Sequence, residues 1–300
     1  MYIYILFLVF IFIFFNIKHI DTLERFDNNK KPEYICRLRK INNKNLYKKK
    51  NLPSTKNLTL FIKDFKYFVD NDLHNIKENT TINILDDPFK SCCYSVYNYK
   101  NFLNNKKIKI VNTENWNDKL HMKVNIIPIG FESKSVKNGM EEKMIKISKN
   151  QKNLNDKPLK ILNNTHFLIH KKPKSGSYNQ RQEVIDKLKN NKLVDFWNKK
   201  KTKEETWKLH DNYSFELCPE GNGLDTHRFY EALLLNTIPI VKRNSLESMY
   251  IQFPCVIVDD WGEITKENCK KWKNELQYRI ENEKYKLKLE FWFNNSNKLL

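Results

Sequence analysis

The sequence predicts an α/β protein of two lobes behind a hydrophobic N-terminal anchor. Three observations carry that expectation. The chain opens on an almost wholly apolar run, short β-type runs then alternate with segments long enough for helices, and a polar stretch divides those runs into two series. With 300 residues, 40% of them hydrophobic and 13% aromatic, the chain can bury one large core or two ordinary ones, which excludes a disordered chain.

Residues 1–17, MYIYILFLVFIFIFFNI, reach the lower limit for crossing a bilayer as a helix. A signal segment is the rival reading, but a basic n-region and a small-residue cleavage site are not visible. Lys18, Arg25, Lys30 and Lys31 follow the run, so the positive-inside rule would keep the rest of the chain cytosolic. Residues 18–56 are rich in Lys and Asn with little periodicity and read as a stem or linker.

Residues 57–150 form the first lobe of this reading. Leu58–Ile62 and Ile82–Leu85 are strand-like, Ile108–Val111 alternates as a half-buried strand does, and Val124–Gly130 is an apolar run closed by glycine. Residues 132–158 are polar and form the expected hinge. Residues 151–300 form the second lobe. Strands are expected at Thr165–His170, Phe215–Cys218, Ile238–Val241 and Cys255–Val258, and helices at Arg181–Asn190, Thr226–Leu235 and from Lys266 onward.

The formal net charge of +19 raises the question of nucleic acid. Nearly all of the excess is Lys, and the chain is also crowded with Asn and Ile, the residues that AT-rich codons encode. A nucleic-acid site ordinarily uses Arg for bidentate contacts, so nucleic acid is disfavoured as a partner. The cysteines Cys36, Cys92, Cys93, Cys218, Cys255 and Cys269 form no CxxC pair, which disfavours a zinc site.

The chemistry is concentrated in Phe215–Trp261. A strand ends at Cys218-Pro219, the turn Gly221-Asn222-Gly223 follows, and Asp225 or Thr226 stands at a helix N-cap position. A strand, a glycine turn and a helix start place backbone N–H groups at the positive end of a helix dipole, which suits a diphosphate. Arg228 can point back at that anion, and Glu231 can accept from ribose hydroxyls. The plainer reading is a tight turn followed by surface pairs, Asp225 with Arg228 or Arg228 with Glu231, at helical spacing.

GNGLDTHRFYEALLLNTIPIV followed by VIVDDW closely resembles the C-terminal signature of the exostosin-like glycosyltransferases, especially the branch found in algae and large DNA viruses. The sharp match covers roughly residues 213 to 265, and a looser one runs from about Leu60 to Ile169 through LFIKDFKYF, ILDDP and VNIIPIGFES. The resemblance implies the GT-B fold, two Rossmann-like lobes facing a central cleft. The donor nucleotide would sit on the C-terminal lobe and the acceptor toward the N-terminal one.

The implied activity is transfer of a sugar from a nucleotide-sugar donor to a glycan or glycoprotein hydroxyl with inversion, without a metal or other cofactor, on an endomembrane. Donor binding would fall to Gly221, Asn222, Gly223, Asp225, Thr226, Arg228 and Glu231. Asp86 or Asp87 would be the base, and Asp259 and Asp260 would end a strand near the cleft. A chain that has lost activity and only binds a glycan or a partner is the first alternative, and a membrane-tethered nucleic-acid binder is the second. Two departures from the family pattern bear on it. Glu220 stands where relatives carry Pro or Arg, placing an acid beside the diphosphate. Asn236 replaces a helix-ending Gly, a mild change because Asn tolerates the left-handed conformation.

Overall fold

A computed structural model describes residues 34–35, 44–49, 51–85, 99–132, 140–165, 178–197, 201–221 and 223–294. The expected anchor at residues 1–17, the general-base candidates Asp86 and Asp87, Asn222, and the His166–His170 part of an expected strand lie outside these residues. Among the described residues no helix is long and apolar enough to cross a membrane.

The chain is a mixed α/β structure with two parallel sheets. In the first, β1 (Asn57–Phe61), β2 (Thr80–Leu85), β3 (Ile108–Thr113) and β4 (Val124–Ile126) lie side by side in chain order. Their apolar runs suit strands covered on both faces, and Leu58, Leu60, Ile82, Ile84 and Val111 are fully buried. Helix α1 (Ile62–Asn71) follows β1 and turns Phe65 and Phe68 inward, one helical turn apart. Helix α2 (Tyr99–Asn104) precedes β3.

A row of asparagines crosses this sheet. Asn125 Nδ2 donates to Asn112 Oδ1 at 2.9 Å, Asn112 to Asn83 at 2.8 Å, and Asn83 to Asn57 at 2.7 Å. Asn83, Asn112 and Asn125 are direct partners in the strand register, and Asn83 and Asn112 are buried. Amides can chain in this way because each carries both donor and acceptor. A slip of one residue would break every link, so the row fixes the register of short strands. Asn112→Ala orphans one amide group on each neighbouring strand and should lower unfolding free energy by about 2–4 kcal/mol in urea titrations. An unchanged midpoint would show that the row contributes nothing.

Helix α3 (Met140–Lys149) lies inside the stretch expected to be only a polar hinge. Its acids Glu141 and Glu142 sit in the first turn and Lys146 and Lys149 in the last, matching the helix dipole, and it buries little beyond Met144. The second sheet contains β5 (Ile161–Asn163), β6 (Val194–Phe196), β7 (Phe215–Leu217), β8 (Ile238–Lys242) and β9 (Val256–Val258), all parallel. The helices of this part are α4 (Tyr178–Leu188), α5 (Lys203–Leu209), α6 (His227–Leu234), α7 (Glu247–Tyr250), α8 (Lys266–Asn282) and α9 (Leu289–Asn294).

The first described strand of this sheet, Ile161–Asn163, precedes the expected Thr165–His170, of which only Thr165 is described; its N–H and hydroxyl both donate to Asn163 Oδ1. Parts of the expected stem belong to the core as well. Ile35 is fully buried, donates to Leu287 O and accepts from Phe131 N, while buried Tyr47 donates through its hydroxyl to Asp72. Asn236, after α6, has φ 54°, so the asparagine takes the left-handed conformation expected of it.

The strand order of the second sheet is β6-β5-β7-β8-β9. The chain leaves β5 to one side, makes β6, and returns to the other side for β7. This is a common doubly wound order, and its reversal between β5 and β7 opens a crevice at the strands' C-terminal ends. The first sheet has no reversal among its described strands.

Candidate functional site at the strand-order reversal

The crevice is walled by the residues that follow β5 and β7 and by the start of α6. Arg228, in the first turn of α6, reaches across it, and its Nη2 donates to Asn164 O at 3.0 Å. Its Nε lies 3.2 Å from Oε1 of Glu216, which is buried inside β7. The other oxygen of that carboxylate is 2.9 Å from His210 Nε2, and His210 Nδ1 faces Thr206 O at 3.0 Å. Arg228 is therefore held by a buried Glu216–His210 pair, and neither helical neighbour, Asp225 or Glu231, is its partner.

Among the described residues no side-chain cap closes the N-terminus of α6. Thr226 occupies the N-cap position, yet its hydroxyl makes no cap bond and, though buried, has no partner. At the end of β5, buried Asn163 Nδ2 also lacks a partner. Buried polar atoms are nearly always paired, so orphans on two walls of one crevice mark a place where polar groups of a ligand or water fit.

Arg181 enters from the first turns of α4. Its Nε donates to Glu220 O at 3.1 Å, and a Cβ added to Gly221 would come within 2.9 Å of its Nη2. Gly221 thus admits the guanidinium to the turn. Glu220 is tied down: Asn244 Nδ2 donates to Glu220 Oε1 at 3.1 Å, and Gln180 Oε1 accepts from Glu220 N–H at 3.2 Å. Burial raises the Glu220 pKa, which favours its neutral form.

The remaining sequence candidates divide by location. Gly223 and Asp225 lie on the seam with the first sheet. A Cβ on Gly223 would meet the Asn115 side-chain amide at 2.9 Å, and Asn115 Oδ1 accepts from Asp225 N–H at 2.8 Å. The Asp225 carboxylate accepts from Ile129 N–H at 3.0 Å, from Thr226 N–H at 2.8 Å and from the Tyr230 hydroxyl. His227 Nδ1 donates to Gly130 O at 2.6 Å. Burial first, and the Asp225 charge second, hold the Tyr230 hydroxyl well above its ordinary pKa, so it remains a donor.

Glu231 lies farther along α6 and is held by Trp207 Nε1 at 3.0 Å and Lys203 Nζ at 3.3 Å. Lys203 also pairs with Glu132 of the first lobe. Burial alone would lower its pKa, but these carboxylates raise it, so it stays charged. Asp259 and Asp260 follow the edge strand β9. Asp259 pairs with Arg243 at 2.6 Å. Asp260 accepts from Lys187 and from Gly262 N–H, capping the turn Trp261–Glu263. The Lys187 bond, with the backbone bond, lowers its pKa.

Sequence reasoning missed Arg181, Glu216, His210 and Asn115. Glu216 left a signal, an acid inside the apolar run Phe215–Cys218. Asn115 left none, since its partner lies far along the chain. Among the described residues no group of three His, Cys, Asp or Glu side chains is placed to hold a metal ion. No protein-family model matches the chain, and no curated protein matches it.

Proposed function

We propose that the protein is a glycosyltransferase of the GT-B type, moving a sugar from a nucleotide-sugar donor to a hydroxyl of a glycan or glycoprotein. One observation carries the reading. The N-terminus of α6, whose N-cap residue Thr226 makes no cap bond, is flanked by Arg228 and Arg181 and opens where the strand order of the second sheet reverses. Helix N-termini and arginines bind phosphates, and open α/β sheets bind nucleotides at this position.

In the proposed reaction the bond from the sugar's anomeric carbon to the diphosphate breaks through an oxocarbenium-like state. The bond's electron pair leaves with the diphosphate, whose growing charge the α6 N–H groups and Arg228 stabilise. The acceptor hydroxyl attacks from the opposite face, inverting the centre, and gives its proton to a carboxylate base. Asp86 and Asp87 remain the proposed bases. Residues 1–17 would hold the enzyme to an endomembrane.

A second reading has its own support. Gly223, Asp225 and Glu231 are each explained by contacts within the chain, so a protein that binds a glycan or partner without transfer would keep them too. Thermal-shift titration of the full chain with nucleoside diphosphates and nucleotide sugars tests the first reading. Ligand at about 100 times its Kd should raise unfolding free energy by about 2.7 kcal/mol. The shift should be lost in Arg181→Ala, a variant that leaves the buried Glu216 carboxylate paired with Arg228 and His210. Well-folded protein that shifts with no nucleotide would move the assignment to the binder.

A further inference from the structure

We propose that the end of the first sheet opposite the seam is a docking surface for an anionic lipid bilayer. The strands are parallel, so their N-terminal ends share one rim, and lysines gather there. Lys56, Lys107 and Lys123 immediately precede β1, β3 and β4. Their carbonyls are tied into the sheet, Lys56 O to Thr81 N and Lys107 O to Thr80 N at 2.8 Å, and Lys123 O to Val111 N at 2.7 Å. Lys77 and Lys119 flank the row. The ammoniums of Lys77, Lys107 and Lys123 donate to the carbonyls of Ser54, His74 and Asn105, and among the described residues none of these lysines is in an ion pair, so their charge is not neutralised.

The loop from the end of β3 to β4 supplies the apolar component. Leu120 is 63% exposed and Met122 is 82% exposed, in the alternating run Lys119-Leu120-His121-Met122-Lys123. The loop's base is firm: Trp116 is buried and its Nε1 donates to Lys119 O, and Val124 N donates to His121 O. Exposed apolar side chains set between cations suit the boundary between headgroups and acyl chains. There the apolar groups leave water while the lysines meet anionic headgroups. Single-stranded nucleic acid fits less well, because among the described residues this rim offers lysine without arginine and no exposed aromatic ring for a base to stack on. The seam and the crevice lie toward the strands' C-terminal ends, so docking on this rim leaves them facing away from the lipid.

The proposal is independent of the transferase reading. Hydrogen exchange of the full chain tests it, on vesicles of phosphatidylcholine alone and with phosphatidylserine, with flotation of the same samples recording attachment. The N–H groups of Leu120 and Met122 make no hydrogen bond among the described residues, so they exchange freely in water. On anionic vesicles the 117–123 segment should exchange more slowly than in water, because the lysines hold the rim against the charged surface. That slowing should vanish on neutral vesicles and in the exposed-site double variant Leu120→Ser, Met122→Ser. Unchanged exchange on anionic vesicles overturns the proposal. Slowing produced by single-stranded RNA without vesicles also overturns it, in favour of a nucleic-acid surface.

Discussion

Glu216→Ala is expected to lower unfolding free energy by about 3–5 kcal/mol, the cost of breaking a buried ion pair from one side. Glu216 is 1% exposed and stands between the Arg228 guanidinium and the fully buried His210 ring. Removing it leaves one cation and one imidazole nitrogen without their acceptor. The measurement is denaturant unfolding, with Glu216→Gln beside it. Glutamine keeps an acceptor for one neighbour and should cost less. The pair also tests the crevice. Glu216 neutralises much of the Arg228 charge, so Glu216→Gln should leave Arg228 more attractive to a phosphate and strengthen nucleoside-diphosphate binding. Weaker binding in that variant would mean that Arg228 serves packing alone.

The sheets were legible because their strands are apolar runs rich in Ile, Leu and Val, bounded by polar segments. The segment carrying α6 was legible for the same reason, since Phe229, Tyr230, Ala232, Leu233 and Leu234 all fall on its buried face. Val194–Phe196 was missed because a strand so short has no period to read. Helix α3 was missed because a helix that buries almost nothing looks like a polar linker. The candidate site divides along the same line. Local features, such as Arg228 in the first turn of α6, follow from spacing. Its partner Glu216, the approach of Arg181 to Gly221 and the fit of Asn115 on Gly223 depend on tertiary packing, which spacing does not encode. The glycines show this best. Both were expected to admit a phosphate, whereas each admits a side chain of this protein.

Lys157 should make the protein gain stability as the solution becomes alkaline. Its side chain is 2% exposed, and Nζ donates to Leu235 O at 2.6 Å and Thr237 Oγ1 at 3.1 Å, both neutral acceptors at the end of α6. Burial lowers its pKa from 10.5 to about 7. Asp211 opposes that shift, and Lys284, Lys152 and Lys273 add to it. Below pH 7 the lysine is charged in both folded and unfolded chains, and folding bears the full cost of burying an ammonium. Between pH 7 and 10.5 the unfolded chain keeps the proton that the folded one has lost, so stability rises with pH. Above 10.5 both forms are neutral and the cost is gone. Across that window the gain is on the order of 5 kcal/mol, at about 1.4 kcal/mol per pH unit. Lys157→Met removes the charge at every pH while keeping the length of the side chain. The stability difference between variant and native protein should favour the variant most at neutral and lower pH and shrink through the window. The buried Cys255 and Cys269 thiols, whose pKa values burial raises, weaken both proteins equally at high pH and cancel in that difference. A difference independent of pH from 6 to 10 would mean that the Lys157 amine titrates as it does in water, with the carbonyl at the end of α6 and its neighbours compensating the burial.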